Sequence, residues 1–297
     1  MSVVTLASAK GSPGVTTTAL ALASLWPREL VLIEADPAGG DLAPRLGLPE
    51  EPGLVGLAAS LRRDPRGAPL GGPPLDPYVQ HSSGGIRLVT APAGSGQASA
   101  AVRLLSGLAA VLHSEEDLIV DRGRLVGASP VGTPSTGSSL GDTAEIPVWV
   151  CRPRLADLAH LAAVVERRGE GAQGSTVVLA GDGPYPAAEV AAALDVTVLG
   201  HLPADPAGAA ALWAGGGRTW VHSALGRATR ELAAILAELV ASEPTGGSAS
   251  RSGTASPGGA ALRLDSEDEP SGPPATTSTE RDIGTGHLGI ASAGGIR

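Results

Sequence analysis

The stretch SAKGSPGVTTTALALA, residues 8–23, decides how the rest of the chain is read. It follows the apolar run VVTLAS (3–8) and leads into an Ala/Leu-rich segment at helical spacing, so a glycine-rich turn joins a strand to a helix. Gly11 and Gly14 free backbone N–H groups in that turn, and the positive end of the helix expected over 16–25 reinforces them, which makes an anion cradle. Thr16 stands where a magnesium-binding hydroxyl belongs, and Thr17 is placed to contact an α-phosphate. The order Gly14-Val15-Thr16 puts valine where a phosphate-binding loop has lysine. Lys10, at the start of the loop, is the only lysine in the chain.

Outward from this loop, short runs rich in Val, Ile and Leu recur at 29–35, 86–91, 117–121, 146–151, 175–181 and 196–200. They are continuous rather than alternating, as strands covered on both faces should be. Ala/Leu-rich stretches at helical spacing lie between them, at 53–63, 97–112, 154–168, 186–194 and 222–242. With 3–8, this makes seven strands alternating with helices, which predicts one α/β domain over 1–242 with a doubly wound, mainly parallel sheet. Two Pro/Gly-rich stretches, 64–84 and 127–144, read as loops. From residue 243 to 297 the chain is Ser, Gly, Thr, Pro and acid without hydrophobic periodicity, and a disordered acidic tail is expected.

The chain has 297 residues, 42% of them hydrophobic, and a net charge of −9. Seven acids against four arginines give the tail −3 of that, and residues 1–242 keep −6. This balance argues against non-specific DNA binding, which draws its affinity from basic side chains releasing counterions. The arginines come in small groups, such as Arg227 and Arg230, that read as solvated helix faces. Cys151 is the single cysteine, which excludes an internal disulfide and reads as a small buried hydrophobe. No signal-peptide pattern, membrane-spanning run or basic amphipathic C-terminal helix is visible, so a cytoplasmic protein without a direct membrane anchor is expected. The six histidines show no metal-ligand spacing.

The pattern Lys-Gly-x-x-Gly-x-Thr-Thr over Lys10, Gly11, Ser12, Pro13, Gly14, Val15, Thr16 and Thr17 resembles the deviant Walker A loop of the ParA/MinD ATPases. The resemblance implies a P-loop NTPase fold, ATP with Mg2+, and a nucleotide-sandwich homodimer in which Lys10 reaches the partner's phosphates. It continues in order along the chain, over about residues 1–242. VLIEADPAGGDLA (31–43) is similar to the switch I segment, with Glu34 in the first acidic place and Asp36 in the place linked to the attacking water. DLIVDRGR (117–124) is similar to Walker B, with Asp121 reaching magnesium. VVLAGDGPY (177–185) takes the place of a base-reading segment and offers Asp182, while Pro203 and Asp205 match the Pro-x-Asp loop over the adenine.

Val15 departs from the family at its central residue, and a valine there is expected to bring apolar surface to the phosphate site. Losing one electrostatic donor costs on the order of 10²–10³ in rate, so weak or absent hydrolysis is expected. The resemblance implies three roles: a dimerising positioning switch with a protein partner, a pseudo-ATPase adaptor like the TadZ/CpaE proteins of pilus and secretion systems, or an active partitioning ATPase that binds DNA. Arg122 and Arg124 are candidate substitutes for the missing lysine.

Overall fold

The computed structural model describes residues 2–11, 13–63, 74–105, 116–125, 144–167 and 175–242. At its centre is β1 (Ser2–Ser8), followed by the glycine loop and α1 (Val15–Leu25). The chain continues through β2 (Leu30–Glu34), α2 (Leu42–Leu46), α3 (Leu54–Arg63), β3 (Gln80–His81), β4 (Arg87–Val89) and α4 (Ser95–Leu105). It then runs through β5 (Asp117–Arg124), β6 (Ala144–Cys151), α5 (Leu155–Arg167), β7 (Thr176–Ala180), α6 (Ala187–Leu194) and β8 (Thr197–Leu202). Three helices close it: α7 (Pro206–Trp213), α8 (Arg218–Val221) and α9 (Ala224–Ser242).

Among the described residues the strands form one eight-stranded sheet in the order β3-β4-β2-β5-β1-β6-β7-β8. Every pairing is parallel except β3 with β4. The seven expected strands are all present. The eighth, β3, is a correction: it lies inside the stretch 64–84 read as a loop, and two residues are too short to carry a period. Residues 64–73, 126–143, 243–297 and the end of the expected helix 97–112 lie outside the described residues.

The continuous apolar runs have the cause inferred for them. In β2 all five residues are buried. Leu30 and Leu32 face a core built with Leu20 and Leu22 of α1 and Leu232 and Leu236 of α9. Val31 and Ile33 face the opposite core, with Leu54 and Leu57 of α3 and Val102 of α4. Farther along that second face, Trp149, Cys151, Val177 and Leu179 pack with Leu161 of α5 and Val190 of α6. Each fully buried Leu, Ile or Val contributes about 1.5–3 kcal/mol, so helices on both sides fix the register of the central strands. Cys151 is 5% exposed, and burial pushes its thiol up to about 12, which suits a packing role.

Candidate functional site at the carboxyl edge of the sheet

In a doubly wound sheet, ligands bind beyond the carboxyl ends of the strands where the winding reverses. Here that point lies around β1, where β5 and β2 follow on one side and β6, β7 and β8 on the other. The registers Leu6↔Asp121 and Glu34↔Asp121 bring the ends of β1, β5 and β2 level.

The loop after β1 turns into α1 at Gly14, whose φ of 96° is left-handed. No atom lies within 4 Å of a Cβ built at Gly14, so the backbone angle, and not crowding, requires glycine. The first intrahelical bond of α1 runs from the Thr18 N–H to the Gly14 carbonyl at 2.8 Å. The N–H groups of Val15, Thr16 and Thr17 are therefore without partners inside the helix, the arrangement that binds anions. Lys10 and Gly11 are exposed, Pro13 is buried, and Thr16 and Thr17 are half-buried; Ser12 lies outside the described residues. The Val15 side chain is 5% exposed and packs in the core with Leu20 and Leu22. It therefore brings no apolar surface to the loop, contrary to expectation, and leaves only its backbone N–H to the cradle.

Asp121 is fully buried at the end of the run that packs β5 between β1 and β2. Its Oδ1 accepts the Gly123 N–H at 2.9 Å, while its Oδ2 is buried without a hydrogen-bond partner. Burial lifts its carboxyl to about 6, against the Thr16 hydroxyl and the Gly123 N–H, which favour the charged form. A buried carboxylate oxygen without a partner is costly. Together with the Thr16 hydroxyl it offers hard oxygen donors to a small divalent cation that completes its shell with phosphate oxygens and water. The residues present thus fit magnesium beside a bound phosphate.

Asp36 is half-buried next to this pair. Its Oδ1 accepts the Ala38 N–H at 2.7 Å, and burial raises its carboxyl above the usual range. Its Oδ2 lies against Gly123, where a Cβ would stand 1.8 Å away. Gly123 has φ +56° and links the two acids, because its N–H serves Asp121 while its bare Cα admits Asp36. Little in the sequence points to Gly123, a glycine two residues beyond the apolar run 117–121. Glu34 is 1% exposed and lifted to about 7, chiefly by burial and against three backbone N–H bonds.

The residues proposed to hold the base lie elsewhere on the edge, after β7 and β8. The Asp182 side chain is exposed, and its carbonyl accepts from Arg154 Nε at 3.1 Å. The His201 ring bonds the Gly181 carbonyl at 2.8 Å. Pro203 is half-buried. Asp205 caps α7: its Oδ1 accepts the Gly208 N–H at 2.8 Å and its Oδ2 the Leu225 N–H at 3.1 Å, which also fastens α9. These bonds hold its carboxyl below the usual range. The structure thus groups Gly14, Thr16, Asp36 and Asp121 in one crevice and places Asp182, Pro203 and Asp205 two and three strands from β1.

A cavity of about 200 Å³ opens elsewhere, lined by Leu20, Ser24, Leu46, Ser82 and Trp220 among others. Its serines are already engaged, Ser24 with Ala21 and Trp220 and Ser82 with the Ile86 N–H.

The sheet order and the helices on both faces match the P-loop NTPase fold of the ParA/MinD type. The cell division ATPase MinD of Pyrococcus furiosus superposes with a TM-score of 0.60 over 80% of this chain and 98% of that one, at 17% identity. The septum site-determining protein MinD of Pyrococcus horikoshii, solved with Mg-ADP, gives 0.59 over 80% and 97%, also at 17% identity. A ParA family ATPase of Chlorobium tepidum gives 0.58 over 79% and 98%, at 19% identity. No protein-family model and no curated protein sequence matches the chain. At these identities the likeness establishes the fold. Among the described residues no helix is long and apolar enough to cross a membrane.

Proposed function

We propose that this chain is a ParA/MinD-like positioning protein: a cytoplasmic, ATP–Mg2+-binding switch that dimerises on nucleotide and hydrolyses it weakly or not at all. The observation that carries the reading is the buried, unpartnered Oδ2 of Asp121 beside Thr16, where β5 runs alongside the end of β1. The backbone N–H groups of residues 14–17 hold the phosphates, and Thr16 and Asp121 hold the metal. Bound there, the metal neutralises charge on the phosphate oxygens. Asp36 orients the attacking water, and Lys10, exposed on the loop, supplies a cation to the partner's phosphates. The solved relatives support this class. Cyanothece McdA(D38A) is described with ATP, and Aquifex aeolicus MinD in a complex with MinC, which favours a protein partner here as well.

A second reading, the pseudo-ATPase adaptor of a pilus or secretion system, is favoured by Val15. Its buried side chain leaves the cis cation of the loop missing. Both readings bind a partner; only the switch depends on ATP. Light scattering on the wild type and Lys10→Ala separates them. The switch predicts an ATP-induced shift from monomer to dimer in the wild type that Lys10→Ala abolishes. Equal dimerisation of both proteins without nucleotide points to a constitutive scaffold.

A further inference from the structure

We infer that Glu34 is the positioning residue for Asp36, the latch that closes the 36–42 segment onto the sheet. The inference rests on the reading of Asp36 as the water-orienting acid. Glu34 is the last residue of β2, and the chain leaves it, passes Asp36 and returns to it. Its Oε1 accepts the N–H groups of Asp41 at 2.7 Å and Leu42 at 3.0 Å. Its Oε2 accepts the Ala91 N–H at 2.9 Å, from just past the end of the neighbouring β4. One side chain therefore ties both ends of the loop to each other and to the next strand.

The surroundings fit this hold and leave little slack. A Cβ at Gly40 would stand 2.5 Å from Glu34 Oε2 and 2.3 Å from the Ala91 carbonyl. The Gly40 N–H donates to the Pro92 carbonyl at 2.9 Å. Gly39 has φ +119°, and a Cβ there would come within 2.4 Å of the Ala93 carbonyl. Ser99 donates to the Pro37 carbonyl at 2.8 Å, next to Asp36 itself. At the far side, the Asp36 carboxylate rests on Gly123.

The residue type follows from the geometry. Three backbone donors approach from two sides, and only a carboxylate presents acceptors on both oxygens. Glutamine would accept from Asp41 and Leu42 but turn its NH₂ toward the Ala91 N–H. A buried carboxylate is costly at a strand end, and three charge-assisted bonds offset that cost. The pattern of the sequence places Glu34 with the nucleotide acids, whereas its contacts are all to the protein's own backbone.

Amide hydrogen exchange on the full chain without nucleotide tests the latch, with the Ala38 amide reporting Asp36 because it donates to that carboxylate. In the wild type, the amides of Asp41, Leu42 and Ala91 should be protected as one group. In Glu34→Gln, Ala91 and Ala38 should exchange about tenfold faster or more, as expected on losing a bond to a charged group. Amides of β1 and α9 should stay within about twofold. Gly40→Ala separates the same groups sterically and should reproduce the pattern. A folded Glu34→Gln with Ala38 and Ala91 unchanged would overturn the inference, as would unprotected Asp41, Leu42 and Ala91 in the wild type. Since no nucleotide is present, a wild type that binds no ATP refutes the function without touching this result.

Discussion

Asp121, inside β5, and Asp205, after β8, both match a motif and do opposite things. Asp121, at the centre of the carboxyl edge, has one oxygen bonded to the Gly123 N–H and the other buried beside the Thr16 hydroxyl without a hydrogen bond. Asp205, at the far end of the edge, has both oxygens engaged with the starts of α7 and α9. The first side chain stores unused binding capacity, and the second holds two helices together. A motif match does not distinguish them; the partners of each oxygen do.

The contrast predicts mutations of opposite sign. Replacing Asp121 with Asn removes the ionisation penalty of a carboxyl lifted from 3.8 to about 6. Above pH 7 the metal-free protein should gain stability, by at most about 3 kcal/mol at about 1.4 kcal/mol per pKa unit and less by what burying the new NH₂ costs. Chemical denaturation of both proteins at pH 8 checks it, and a loss of stability would mean that the Asp121 carboxylate is already satisfied. The same imbalance sets a pH dependence. Glu34, near 7, and Asp121, near 6, bind protons in the folded state that the unfolded chain has released. Stability without nucleotide should therefore fall as pH rises from about 4.5 to about 7, by at most about 1.4 kcal/mol per group per pH unit. A melting temperature that rises across that window would contradict the burial of both carboxyls.

Asp205→Ala should act in the other direction and less strongly. It removes a helix cap and should cost about 1–2 kcal/mol, with little change in ATP affinity. A large loss of affinity at unchanged stability would return Asp205 to the base site.

What was legible in the sequence follows the range of the interactions. The strand, glycine loop and helix of residues 3–25 are local, and their pattern predicts them. The position of Asp121 on the central sheet was readable because an apolar run ending in an acid is also a local signal. Asp205-Pro206 carried two local meanings at once, a nucleotide loop and an Asp cap followed by proline at the first helical turn, and the structure shows the cap. The role of Glu34 was not readable, since one of its donors comes from Ala91, 57 residues away. Gly123 was equally hidden, because its need arises from Asp36 in the loop after β2.

The central claim is that the unpartnered oxygen of Asp121 exists to meet a metal beside bound nucleotide. Calorimetric titration of ATP, with and without Mg2+, into the wild type and Asp121→Asn tests it directly. The account predicts Mg2+-dependent binding in the micromolar range or weaker for the wild type, and its loss in Asp121→Asn even though that variant is the more stable protein. A wild type that binds no ATP with Mg2+ present, or an Asp121→Asn that binds as well as the wild type, would contradict it.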